Sequence, residues 1–354
     1  MTALGRVIVA FAVAVPLQSA LPIDRPAACQ LNESNRRWVQ RALDGWDRIG
    51  RNDLRLSPSA LPWIVLYDDA CAWHLAFDDA LLADSEPGGA ALLFAAEPVR
   101  VRSRRHAGSV WLPDGSAIPA SQNVARASLY RDATATFFVV ALPEMWKRDP
   151  RFARDVHTDD FFLGVAIHEL THTRHLPAIV ERLTTLATQY QLPNLTLDDD
   201  LIQNRFGGTA SVRRAWEAER DLLYQAVAEP DAATRAALVA RALAMARQRR
   251  ARTFTGANRR YMEFEDLFLS MEGAGQWAAY KLAQSDTRPG EPDAVIIDFV
   301  RSTRRYWSQE EGLALFLLLD RMVPDWQAQI FGHAEVSAFS LLEMALRLRT
   351  PSSP

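Results

Sequence analysis

His168, Glu169, Leu170, Thr171 and His172 form a run whose residue types and spacing suit metal chemistry. On a helix, His168 and His172 project from one face, a turn apart. Two imidazoles so placed reach one zinc ion at about 2.0–2.1 Å. Glu169 is rotated from His168 by about 100°. Its carboxylate therefore sits beside the ion rather than on it, where it can take a proton from a bound water. Zinc lowers the pKa of such a water from about 15.7 to about 7. Metal-assisted hydrolysis of a peptide bond needs this arrangement. The chain has 2 Cys and 7 His. Two cysteines are too few for a thiolate-ligated zinc knuckle, so a tight site must draw on His and carboxylate.

The motif needs a helix to hold it. Phe161 to Ile167 is a bulky apolar run leading straight into His168, and Thr158, Asp159 and Asp160 stand where a helix start wants a cap and negative charge. Helical periodicity covers 161–176, 178–190, 212–227, 232–252, 261–284, 294–306, 309–321, 325–331 and 334–348. Breaks fall at 191–194, at Gly207-Gly208, at Glu229-Pro230 and at 285–293. The earlier part of the chain reads differently. A helix over 35–48 is followed by a strand at 61–67, a hairpin over 109–118 around Pro113-Asp114-Gly115, and a strand at 133–142. Pro143 ends that last strand, which is expected at the sheet edge, where an extended peptide would lie. The order is sheet first, then helices, giving an α+β fold. A β-rich subdomain is expected over 21–160, a helical metal-binding lobe over 161–349 and a tail over 350–354.

The stretch His168 to His172 resembles the zinc-binding helix of the zincin metallopeptidases. The resemblance implies a twisted N-terminal β-sheet above an active-site helix, with a mainly helical C-terminal lobe. It also implies a zinc cofactor held by His168 and His172, with Glu169 as catalytic base. The third ligand separates the branches. Metzincins place Gly and His three and six residues after the second His, where this chain has His175 and Ala178. The aspartate type carries Gly-Thr-x-x-x-Tyr-Asp, and Gly208-Thr209 is not followed in that way. Gluzincins use a Glu from a later helix, and Met271-Glu272-Gly273-Ala274-Gly275-Gln276-Trp277 resembles their Glu-Gly segment. The thermolysin-like pattern puts Asp four residues after that Glu, and Gln276 stands there instead.

Physical reasoning also favours Glu272. Each Gly costs helix stability, about 1 kcal/mol relative to Ala. Small residues beside a carboxylate let two helix backbones approach until a short Glu reaches a shared ion. Glu311, in Glu310-Glu311-Gly312, is the rival third ligand. Glu265 shares the Glu272 face and reads either as an acceptor for a ligand imidazole or, preferably, as a salt-bridged helix carboxylate. His175 lies about 20° from His168 around the helix, but three ligands from one straight helix rarely close a tetrahedron. An oxyanion stabiliser is also needed. Tyr261, Tyr280 and Tyr306 flank the ligand helices and carry a suitable hydroxyl. His74, His106, His157 and His333 read as solvated or structural.

The 354 residues are 49% hydrophobic and 23% charged, with net charge −3. These values exclude a disordered chain and give no general ground for nucleic-acid binding. All of the 40 basic residues except Lys147 and Lys281 are arginine. Arg247, Arg249, Arg250 and Arg252 crowd one helix end and read as a solvated face. Residues 1–20 read as a cleaved signal peptide: Arg6, the apolar run Val7 to Leu17, then Ser19-Ala20. The run is shorter than the about twenty residues of a membrane span. A periplasmic or secreted location follows, with no membrane span after cleavage. In that compartment Cys29 and Cys71 are expected to form a disulfide, the alternative being two unpaired thiols. The expected function is an exported zinc metallopeptidase acting on a peptide or protein substrate. Endopeptidase action is favoured, because no Gly-x-Met-x-Asn segment is present to hold a free amine. The alternatives are a zincin-fold binding protein without turnover, or a zinc hydrolase of a non-peptide amide such as a cell-wall component. Oligomeric state is not legible.

Overall fold

A computed structural model describes residues 11–13, 29–56, 61–130, 135–150, 152, 157–191, 200–301, 304–333 and 335–349. The expected signal peptide, apart from 11–13, and the tail at 350–354 lie outside the described residues. The chain divides into two compact units. One comprises Val9–Pro177 and Lys281–Gly290; the described residues of the other fall in Ala178–Tyr280 and Glu291–Pro354.

The first unit contains, in chain order, β1 (Phe11–Val13), α1 (Glu33–Arg48), β2 (Trp63–Tyr67), β3 (Cys71–Leu75), β4 (Glu86–Pro87), β5 (Leu92–Phe94), β6 (Glu97–Val99), β7 (Val101–Arg105), β8 (Ser109–Trp111), β9 (Ala117–Pro119), β10 (Asn123–Tyr130), β11 (Ala135–Ala141), the short α2 (Pro143–Trp146) and the start of α3 (Thr158–Gln189). Seven strands form one sheet in the order β1-β10-β11-β2-β3-β7-β4. The β11–β2 pair is parallel and its neighbours are antiparallel. Side chains alternate between the two faces of a strand. The register therefore sets Ile64, Leu66, Trp73, Leu75, Phe138 and Val140 on one face, and Trp63, Tyr67, His74, Arg102 and Arg104 on the other. β8 and β9 pair as the expected hairpin, whose turn places Gly115 at φ 78°. Cys29 and Cys71 are joined, with Cα atoms 5.8 Å apart.

Two expectations are corrected in this unit. β11 is not an edge strand: β10 and β2 occupy its two sides. The eight-residue strand β10 was not legible in the sequence, because Arg126 and Ser128 dilute its apolar pattern. Pro143 opens α2 as a first-turn residue, where its missing N–H costs nothing. The second correction concerns α3, which runs unbroken for 32 residues with Pro177 inside it, where two helices were expected. An interior Pro costs about 3 kcal/mol. Burial of Leu170, Leu176, Ile179, Leu183 and Leu186 along the same helix offsets that cost. Within the apolar run expected as a leader, Phe11–Val13 pairs antiparallel with Asn123–Ala125 of β10.

The second unit is helical. Beyond the end of α3 it holds α4 (Leu201–Phe206), α5 (Ala210–Ala228), α6 (Ala232–Thr253), most of α7 (Tyr261–Leu282), α8 (Asp293–Val300), α9 (Trp307–Met322), α10 (Trp326–Gly332) and α11 (Ala338–Arg349). Asp231 caps α6, accepting from the Thr234 N–H at 2.7 Å. α7 and α9 cross at two glycines. A Cβ on Gly273 would lie 2.6 Å from the Gly312 carbonyl oxygen, and one on Gly312 would lie 2.7 Å from the Gly273 nitrogen. Only the absence of both side chains permits that approach. Arg249 and Arg250, expected on a solvated face, are instead each 3% exposed. Acidic partners compensate their burial. Arg249 binds Glu219 at 2.6 Å and Glu265 at 2.7 Å, while Arg250 binds Glu265 at 2.5 Å and Asp266 at 2.8 Å. No helix among the described residues is long and apolar enough to cross a membrane.

Candidate metal centre

The α3 helix sets its ligands by its own pitch. His168 and His172, four residues apart, turn their Nε2 atoms toward one another at 2.8 Å, with ring planes at 84°. Both rings are buried, His168 at 3% and His172 at 0% exposure. Thr171 Oγ1 donates to the Ile167 carbonyl at 2.8 Å, so the hydroxyl between the two His is spent within the helix.

Glu169 points elsewhere, as the rotation per residue requires. Its Oε2 accepts the Ala127 backbone N–H of β10 at 2.9 Å, and the residue is wholly buried. One carboxylate oxygen is thereby anchored to the sheet. Arg126, the neighbour of Ala127, feels the Glu169 charge. Burial lowers the Arg126 pKa, and the charges of Asp114, Tyr67 and Glu169 oppose that. Neither Ala127 nor Arg126 was marked in the sequence, where no local signal shows which strand faces α3.

Glu272 is also wholly buried. Its Oε2 accepts from Gln309 Nε2 at 3.2 Å, and Gln309 Oε1 in turn accepts from Gln276 Nε2 at 2.8 Å. Gln276, which departs from the thermolysin-like pattern, therefore holds the residue that orients Glu272. Gln309 was not marked in the sequence. Its position three residues before Gly312, at the helix crossing, is the feature by which it can be found.

Among the described residues, one group of side chains offers ligand atoms close enough to share a metal ion. It comprises His168, His172 and Glu272, whose ligand atoms all lie within 4.8 Å of one another. Four-coordinate zinc with bonds of about 2.0–2.2 Å separates its ligand atoms by roughly 3.4 Å. The donor set of two imidazoles and one carboxylate leaves a fourth position open, as catalytic zinc sites do.

The other marked residues fall outside that group. Glu311, the rival ligand, is 1% exposed. Burial, and then the Glu219 charge and a hydrogen bond with Glu219, raise its carboxyl well above the usual range. Two positions along α9 from Gln309, it faces the arginine cluster. Glu265 is held by Arg249 and Arg250, which realises the salt-bridged reading and leaves it no role beside an imidazole. His175 is buried but is not a member of the ligand group. Tyr280 donates to Asp293 at 2.9 Å, and burial raises its pKa. Tyr261 packs against Phe206 and Phe264. Tyr306 borders a small cavity together with Gln276 and Gln309. Of the three tyrosines it is therefore the one placed beside the side chain that orients Glu272. Comparison of the chain with protein-family models, with curated proteins and with solved structures finds no match.

Proposed function

We propose that the protein is a zinc metallopeptidase of zincin type, working outside the reducing cytoplasm on peptide or protein substrates. The observation that carries this reading is the convergence of His168, His172 and Glu272 with a buried Glu169 on the adjacent helical position. These three residues would hold the ion. When bound, zinc supplies Lewis acidity and a water of lowered pKa.

The remaining work belongs to the chain. Glu169, anchored through Oε2 to Ala127, would accept a proton from the attacking water and return it to the leaving amine. Gln309 fixes the Glu272 carboxylate and so reduces the freedom that side chain must lose on binding metal. The apolar surroundings of α3 strengthen each of these charge interactions by lowering the local dielectric. The Cys29–Cys71 bridge supports an oxidising compartment, because disulfides persist there and are rare in a reducing cytoplasm.

The test is metal content together with peptide turnover on the purified chain. Wild type should carry one zinc and cleave members of an unstructured peptide library, while Glu272→Ala should lose both. Zinc retained by Glu272→Ala, or no cleavage of any peptide by the zinc-loaded wild type, would overturn the assignment.

A further inference from the structure

A second site lies within the first unit and shares no residue with the ligand group. It is a cleft of about 660 Å³ on the sheet face that carries Trp63, His74 and Arg104, walled by the loop and hairpin from His106 to Gly115. That size suits a small organic ligand.

Its lining has three features that point to one chemistry. Two large apolar side chains on the rim, Leu81 and Trp111, are 51% and 61% exposed. Exposed apolar groups gathered at one concavity mark binding surfaces more often than scattered ones do. At the base, Trp63 Nε1 donates to His74 Nδ1 at 3.1 Å. This bond fixes the tautomer, so the ring carries its proton on Nε2. The His74 side chain is 4% exposed, and burial with the nearby Arg104 charge holds its pKa down to about 4, so the ring stays neutral. The charge of the lining is also one-sided: Arg104 and Arg105 border the cleft, and among the described residues no Asp or Glu lines it. His106 is engaged within the loop: its Nε2 lies 3.0 Å from the Asp68 carbonyl and its Nδ1 accepts from the Gly108 N–H.

We propose that this cleft binds a small aromatic carboxylate, its ring against Trp63 and Trp111 and its carboxylate on Arg104 and the His74 Nε2–H. A guanidinium beside a fixed neutral donor suits a carboxylate. Indole faces favour a flat apolar body over an aliphatic one.

Binding of 3-phenylpropanoate, 3-phenylpropanamide and propanoate to the zinc-loaded chain, measured by calorimetry, tests this. The acid should bind at least tenfold more tightly than its amide or than propanoate. Arg104→Gln and Trp111→Ala should each weaken the acid at least fivefold. Trp111 is mostly exposed, so its replacement reads out binding even if Arg104→Gln disturbs the fold. Glu272→Ala should leave acid binding unchanged, which separates this cleft from carboxylate bound at the metal. Equal binding of acid and amide, unaltered binding by both cleft variants, loss of binding in Glu272→Ala, or no binding of the acid at millimolar concentration would each overturn the proposal.

Discussion

Four of the buried glutamates, Glu169, Glu272, Glu265 and Glu311, differ in what each one touches. Glu169 meets a backbone N–H, Glu272 an amide, Glu265 two guanidiniums and Glu311 another carboxylate. The first should be indispensable for proton transfer only. Glu169→Gln is expected to lower kcat by about 10²–10⁴-fold while zinc stoichiometry holds, as elemental analysis beside a turnover assay will show. Gln309→Ala should weaken zinc binding by about 10–100-fold, read by competition with a chelating dye. Glu311 makes a prediction about pH. Its folded pKa is raised above the unfolded value of about 4.3, so the folded state keeps a proton that the unfolded chain releases. Its contribution is therefore present below that value and lost as pH rises toward the folded pKa. Glu311→Gln keeps a neutral donor and should flatten this alkaline-going loss in urea titrations across pH. It should also leave zinc content intact; loss of zinc would restore Glu311 as the ligand.

At the scale of elements, the helix crossing of α7 and α9 matters most. Both Glu-Gly sequences meet there, and the shared glycines bring Gln309 within reach of Glu272. Adding a methyl group meets backbone rather than a yielding side chain tip, so relief requires the helices to part. Gly312→Ala should cost about 1–3 kcal/mol or more by urea unfolding. Because separation withdraws Gln309, it should also reduce zinc affinity. A variant of unchanged stability would show that the crossing is looser than the close contacts imply. The elements themselves were largely legible. Residues 212–227 and 309–321 read as helices and form Ala210–Ala228 and Trp307–Met322. The misreadings share a cause. Pro177 and the arginines of 247–252 were judged by local preference, whereas α3 and α6 are held by burial and by acidic partners distant in sequence.

At the scale of the whole molecule one covalent cross-link is present, and the proposed zinc would add a second. The Cys29–Cys71 bridge spans a sequence separation of 42 residues. Loop-closure entropy assigns such a bridge about 4 kcal/mol. Reduction should lower the melting temperature, and a reduced chain that melts as the oxidised one does would show that the bridge constrains little. Zinc bound only by the folded state would stabilise it by an amount that grows with the logarithm of free zinc over Kd, about 2.7 kcal/mol at a hundredfold excess. A chelator should therefore lower the melting temperature of wild type and leave that of Glu272→Ala unmoved. The amino-acid order alone marked the pair His168 and His172, the flanking Glu169 and most helix spans, and it favoured the joining of Cys29 to Cys71. Those features depend on residues near in sequence, or on the scarcity of their type. The grouping of Glu272 with His168 and His172, the anchoring of Glu169 on Ala127, the burial of Arg249 and Arg250 and the cleft around His74 were decided by tertiary structure. Each depends on which strand or helix lies opposite, and helical or strand periodicity carries no information about the opposing partner.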